Sequence, residues 1–286
     1  YLSYLPDGGE GGVVDCRAFK AQSSDASLGR YPDGGAFWYS MAPSPGSANS
    51  RPLDHVVISE LMYHPVEGMR EYIELHNPTA QPVRLWDAEV GRGWRLDGGI
   101  SFAFSPEAVI PAGGYLVIVP FAPDEAVLTA FRSAYGDQPS VILGPYEGRL
   151  ADHGERVALE RPEAADVVGQ EASWAIVDEV IYFDKTPWPA EAAGTGLALC
   201  RLRPDRHGSD PNAWAARSPR PGTVFCDFDK NGRVDLLDWS CMAAYWMAEA
   251  TDPHWNAEVD LDGMDSDVID GADMRVLLHY WLWNPE

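Results

Sequence analysis

Near its C-terminal end the chain runs Asp227-Phe-Asp229-Lys-Asn231-Gly232-Arg233-Val234-Asp235-Leu236-Leu237-Asp238. Oxygen-bearing side chains stand at loop positions 1, 3, 5, 9 and 12, a glycine at 6 and an apolar residue at 8. A hard cation such as Ca2+ takes six to eight oxygen ligands at about 2.3–2.6 Å. Alternate carboxylates, one backbone carbonyl (that of Arg233) and a sharp turn at Gly232 offer such a set. Few folds accommodate so dense a run of acids without a cation, so this segment constrains the C-terminal part more than any other.

A second acidic segment follows, Asp260-Leu-Asp262-Gly-Met-Asp265-Ser-Asp267-Val-Ile269-Asp270-Gly271-Ala272-Asp273. Counted back from Asp273, Asp270 falls at position 9 and Ile269 at 8, but Asp267 takes the place of the glycine. Counted forward from Asp260, Asp262 falls at position 3. The two counts disagree, so the loop carries an insertion between Asp262 and Asp267, and Asp265 or Asp267 fills the middle ligand role. Weaker binding or altered geometry is expected there. After the first loop Met242, Tyr245 and Trp246 fall on one helical face, and after the second Leu277, Tyr280 and Trp281 do so. These spacings mark buried stripes. Two short helices of this kind bury their stripes against each other, stapled by the metal.

An ordinary EF-hand places a helix before each loop. The linker ending Gly222-Thr223 leaves no room for one, and Pro253 with a short connection leaves little before the second loop. Loop then helix, twice, resembles the type I dockerin family over residues 224–286. The resemblance implies two Ca2+ sites. The ligands of the first are Asp227, Asp229, Asn231, the carbonyl of Arg233, Asp235 (directly or through water) and Asp238. Those of the second come from Asp260, Asp262, Asp265, Asp267, Asp270 and Asp273. It also implies a cohesin-like receptor domain as partner, chosen in part by loop positions 10 and 11. Here these are Leu236-Leu237 and Gly271-Ala272. They lack the hydroxyl pairs familiar in cellulosomal examples, which argues against a conventional cellulosomal cohesin.

Upstream, two segments nearly repeat each other. Ser27-Leu-Gly-Arg30-Tyr-Pro32-Asp, then Trp38, then Pro43-Ser-Pro45-Gly46 matches Leu199-Cys-Arg201-Leu-Arg-Pro204-Asp205, then Trp214, then Ser218-Pro-Arg-Pro221-Gly222. Residues 1–50 therefore read as the tail of an upstream domain with its linker, and residues 53–222 as a complete copy. Short runs rich in β-branched and aromatic residues predict strands at 56–62, 71–75, within 103–110, and at 115–119, 141–143, 156–160, 177–183 and 197–202. One helix is predicted, capped by Asp124, with Val127, Leu128, Phe131 and Tyr135 on one face and Gly136 at its end. Strands this short and frequent suggest an all-β sandwich.

Within residues 53–222, Val57-Ile58-Ser59-Glu60-Leu61-Met62-Tyr63-His64-Pro65, Glu71-Tyr72-Ile73-Glu74-Leu75-His76-Asn77-Pro78-Thr79 and Ile110-Pro111-Ala112-Gly113-Gly114-Tyr115-Leu116-Val117 resemble the lamin tail domain family. Leu150-Ala-Asp152-His-Gly154-Glu155-Arg156-Val157-Ala158-Leu159 and Val177-Asp178-Glu179-Val180 fit it in order. The resemblance implies an immunoglobulin-like β-sandwich with no catalytic residues, of a kind that occurs in tandem in secreted and surface proteins of bacteria. The stretch from Pro120 to Gly154 is longer than a simple hairpin, so its strand pairing departs from a compact member of the family. The fold expected of the whole chain is thus mainly β, a sandwich followed by a small α-helical calcium-binding module.

A formal net charge of -23 argues against nucleic acid, since phosphate binding needs Lys and Arg, and disfavours anionic membrane surfaces. No apolar run approaches the eighteen or so residues of a membrane span. The chain begins with Tyr1, which suggests a portion of a longer polypeptide. Cys16, Cys200, Cys226 and Cys241 fall in no zinc spacing. They are either buried small residues or, in an oxidising compartment, paired, with Cys226 and Cys241 flanking the first loop.

No GxSxG, P-loop or Rossmann fingerprint is present, and the scattered His residues form no HExxH. Glu60, Glu71 and Glu74 can be imagined as a hydrolytic carboxylate set. However, strand alternation puts Glu60 beside Met62, where it more naturally bonds a backbone amide or an Arg. The reading is a non-catalytic, extracellular or cell-surface segment that docks through calcium. The alternatives are a polysaccharide-binding module with Trp or Tyr platforms, attached to an upstream enzyme, and a hydrolase.

Overall fold

A computed structural model of the chain describes residues 2–4, 12–15, 21–22, 25–50, 56–136, 141–165, 171–223, 226–229, 234–256, 258–261 and 268–281. The fold is mainly β, with 32% of the described residues in strands and 15% helical. A first hairpin pairs β1 (Ser27–Arg30) with β2 (Trp38–Met41). The strands of the two main sheets follow in chain order: β3 (Val57–Met62), β4 (Tyr72–His76), β5 (Arg95–Gly98), β6 (Ile100–Ala103), β7 (Tyr115–Ile118), β8 (Ile142–Leu143), β9 (Glu147–Gly148), β10 (Gly154–Glu163), β11 (Ser173–Phe183), β12 (Ala198–Arg201) and β13 (Trp214–Arg217). One sheet has six strands in the order β8-β7-β4-β3-β12-β13, and the other five in the order β9-β6-β5-β10-β11.

The two sheets share one core. Ile58, Leu61, Ile73, Leu75, Leu116 and Leu199 from the six-stranded sheet are buried with Leu96, Ile100, Val157, Leu159, Val180 and Tyr182 from the five-stranded one. Each such aliphatic side chain contributes about 1.5–3 kcal/mol on burial. Ile58 and Leu61 are an odd number of residues apart, so strict alternation would send them to opposite faces. An irregularity in the β3–β4 register between Ile58 and Glu60 lets both enter the core and turns Glu60 outward.

Part of the outer face of the six-stranded sheet is apolar too, and α1 (Glu125–Tyr135) contributes to covering it. Phe131 and Tyr135 of the helix are buried with Met62, Tyr72, Val117 and Cys200. Asp124 caps the helix by accepting from the Val127 N–H at 3.0 Å, and Gly136 ends it at φ 96°. The segment after α1 departs from a hairpin as its length suggested: β8 pairs parallel with β7, and β9 crosses to β6 in the other sheet. The expected strands are present with modest shifts. Those at 95–98 and 214–217 were not anticipated, and β10 and β11 run longer than expected because they pair along most of their length.

The sequence repeat is visible as one hairpin built twice. Arg30 lies opposite Trp38, and Arg201 opposite Trp214. Each guanidinium sits over its indole, at 4.8 Å from the Trp38 centroid and 5.7 Å from that of Trp214. The first hairpin rests on the second: Phe37 stacks on His207 at 5.0 Å, and the Tyr39 hydroxyl accepts from the His207 N–H at 3.1 Å.

At the C-terminal end, α2 (Leu236–Ala243) and α3 (Gly271–Trp281) follow the two acidic segments. Met242, Val276, Leu277 and Tyr280 are buried together with Cys226, Val234, Val259, Leu261 and Ile269. The first helix is shorter than expected. Tyr245 and Trp246 lie in a turn beyond it, and Trp246 is 40% exposed. The cause is a backbone pairing: at Met247 (φ 64°) the chain leaves the helical path, so that the Met247 N–H reaches the Ile269 carbonyl at 2.8 Å and the Ile269 N–H reaches the Ala248 carbonyl at 3.0 Å. Among the described residues no α-helix lies between β13 and the first acidic segment or between α2 and the second, and no helix is long and apolar enough to cross a membrane.

Candidate metal centre

The Asp227, Asp229 and Asp238 carboxylates converge, each offering an oxygen such that all lie within 4.8 Å of one another. Asp227 and Asp238 are buried and Asp229 is exposed. The local fold explains the convergence. Asp235 is the N-cap of α2 and accepts from the Leu237 N–H at 2.8 Å. Asp238, in the first turn, reaches back to the Asp235 N–H at 2.8 Å, closing a capping box. Its other oxygen accepts from the N–H groups of Phe228 at 2.6 Å and Asp229 at 3.2 Å. Two of these three amides, those of Phe228 and Asp229, tie the end of the loop to its beginning. A carboxylate has about four lone-pair positions, so it can hold three amides and still face a cation.

The second segment repeats the arrangement. Asp273 accepts from the Leu261 N–H at 2.5 Å and from the Asp270 N–H at 2.7 Å, and Asp270 accepts from the Ala272 N–H at 2.6 Å. Phe228 corresponds to Leu261, Asp235 to Asp270 and Asp238 to Asp273. Asp260 and Asp273 are buried as Asp227 and Asp238 are. At the described positions the two closures correspond. Asn231 and Arg233 of the first loop, and Asp262, Asp265 and Asp267 of the second, lie outside the described residues.

The oxygen-only set at Asp227, Asp229 and Asp238 suits a hard cation rather than a thiolate- or imidazole-seeking metal. Cys226 adjoins the set, but burial pushes its thiol well up, away from the thiolate a soft metal needs. Cys200, Cys226 and Cys241 are free thiols, so no bridge joins Cys226 to Cys241, and Cys16 lies outside the described residues.

The residues expected to meet a partner differ between the halves. Leu236 and Leu237 are 67% and 57% exposed, Gly271 is exposed and Ala272 half-buried. From Leu236 to Ala248 the sequence carries one charged residue, the buried Asp238, while Ser240, Ala243, Ala244 and Met247 are exposed with the two leucines. Helix α3 faces the β region instead: the Tyr280 hydroxyl donates toward the carbonyls of Arg201 and Leu202, each at 3.5 Å.

The carboxylates considered for hydrolysis are occupied structurally. Glu71 accepts from the Tyr146 hydroxyl at 2.9 Å and the Leu150 N–H at 3.0 Å. Glu60 accepts from the Tyr72 hydroxyl at 2.5 Å and, as alternation suggested, from a backbone amide, that of Arg220 at 3.1 Å. Sequence reasoning did not anticipate the connection that brings Arg220 to the sheet, because nothing local to Glu60 announces a partner so distant in the chain. Comparison of the chain with protein-family models, with curated proteins and with solved structures found no match.

Proposed function

We propose that this chain is a non-catalytic docking segment of a secreted or cell-surface protein. Its C-terminal module, dockerin-like in its two loop–helix units, binds Ca2+ and presents α2 to a cohesin-like receptor, while an immunoglobulin-like sandwich of the lamin tail type serves as spacer or adhesion domain. The observation that carries this reading is the identical closure of the two acidic segments, Asp238 onto Phe228 and Asp235 and Asp273 onto Leu261 and Asp270, with three carboxylates converging in the first. Such closure draws negative charges together, which a bound cation compensates. A site unformed in the unfolded chain converts binding energy into folding energy.

The uncharged face of α2, on a chain of net charge -23, supports the docking half of the proposal. Calcium titration of the full chain, followed by circular dichroism and Trp fluorescence, tests the metal half. Helix content is expected to rise with Ca2+ and fall on chelation. A module equally folded without metal, with a titration unchanged in the double variant Asp227→Ala, Asp238→Ala, is the result that defeats it.

A further inference from the structure

Away from the metal centre, two buried carboxylates stand side by side on the outer face of the six-stranded sheet. Glu60 on β3 and Glu74 on β4 are register partners, and Cys200 on β12 lies opposite Glu60 on the other side. Their residue exposures are only 4% and 3%. The sheet supplies each with one hydroxyl, Tyr72 to Glu60 at 2.5 Å and Ser59 to Glu74 at 2.6 Å. The connection between β13 and the C-terminal module supplies the rest. The Arg220 N–H donates to Glu60 at 3.1 Å and the Gly222 N–H to Glu74 at 2.5 Å. A cavity of about 40 Å³ adjoins the pair, lined also by Thr223 of the connection and Tyr280 of α3. The strand and the connection are both tied onward: Arg217 of β13 donates to the Asp260 carbonyl, and Arg220 of the connection pairs with Glu258 at 2.9 Å.

We propose that Glu60 and Glu74 form a pH-operated latch, which holds the 218–223 connection and the C-terminal module against the sheet and releases them in alkaline solution. Two carboxylates in one buried site cannot both ionise cheaply. Burial pushes Glu60 up to about 7, and burial with the charge of Glu60 pushes Glu74 well above the carboxylate range. A carboxyl raised in the docked state favours docking fully below its free value of about 4.3, and that contribution is lost as pH rises through the docked value.

The other groups facing the pair do not titrate between these limits. Burial raises the phenols of Tyr72, Tyr135 and Tyr280 and the thiol of Cys200. Burial lowers His76 to about 3, and Tyr115, stacked on it, is a phenol, a type that ionises near about pH 10. Arg201, Arg217 and Arg220 carry guanidinium groups, which hold their charge in proteins.

Hydrogen exchange of the full chain in calcium, measured at pH 5.5 and pH 8.5 and normalised to intrinsic rates, tests the latch. The Arg220 and Gly222 amides are expected to lose about tenfold or more of their protection at the higher pH, with a larger radius of gyration in solution scattering. In Glu74→Gln, which leaves Glu60 as the one carboxyl of the pair able to ionise, the loss of protection at the higher pH should be clearly smaller. Equal protection of the native chain at both pH values overturns the proposal, as does a Glu74→Gln chain that opens like the native one. Glu60→Gln provides the same comparison should Glu74→Gln fail to fold.

Discussion

Arg201 and Asp178 form an ion pair at 2.6 Å with side-chain exposures of only 2% and 6%. The pair ties the two sheets: Asp178 lies on β11, Arg201 on β12, and the same Asp178 oxygen accepts from the Ile58 N–H of β3 at 2.8 Å. The other arm of Arg201 donates to the Arg206 carbonyl at 2.6 Å, shaping the loop between β12 and β13. Removing one partner strands a buried charge. Arg201→Met is therefore expected to destabilise the β region by about 3–5 kcal/mol in urea unfolding. The double variant Asp178→Leu, Arg201→Met should recover a large part of that loss, and a double variant no better than the single one would contradict this account.

Asp238 closes the loop through three amides, whereas Asp229 stands exposed. Asp238→Ala removes the acceptor of three amides as well as a proposed metal ligand, so it should lower the stability of the module by about 1–3 kcal/mol even in chelator. Asp229→Ala, at an exposed position, should weaken calcium binding while leaving chelator-treated stability within about 0.5 kcal/mol. Thermal melts with and without calcium separate the two effects.

His76 gives the β region an acid limb. The ring is stacked on Tyr115 at 4.2 Å with planes 5° apart, and burial holds its pKa down to about 3. The unfolded chain binds a proton near pH 6.5, which the folded one resists. Stability is therefore complete above about pH 6.5 and falls as pH drops toward 3, by about 2–3 kcal/mol at pH 4.5. His76→Phe should flatten this limb of the unfolding curve. A variant with the native acid slope would show that other groups cause it.

Leu236 and Leu237 are exposed at the start of α2, where a change costs the fold little. Leu237→Asp should leave the thermal midpoint and calcium titration nearly unchanged, within about 0.5 kcal/mol. It should abolish capture by a cohesin-like receptor that binds the native chain. Undiminished capture would move the docking surface away from α2.

Local chemistry was legible in the sequence wherever it was complete within a few residues. Asp124 and Gly136 bound α1, and Asp227 to Asp238 form one closed loop. The matched Arg30 and Arg201, with Trp38 and Trp214, mark the same hairpin twice. What escaped the sequence depends on distant partners. The end of α2 at Ala243 follows from the pairing of Met247 with Ile269, which no helical periodicity encodes. The meeting of Glu60 with Glu74 depends on the register irregularity near Ser59, and their meeting with Arg220 and Gly222 depends on how the chain returns to the sheet.

The hold of Glu60 and Glu74 on the connection has a mechanical side. In a protein anchored upstream and gripped through its C-terminal module, tension travels back along the chain from that module. Part of it is carried by the Gly222–Glu74 and Arg220–Glu60 bonds, and part passes directly to the edge strand β13, whose Arg217 donates to the Asp260 carbonyl. A pull on the module is thus divided between the carboxylate pair and the rim of the sheet.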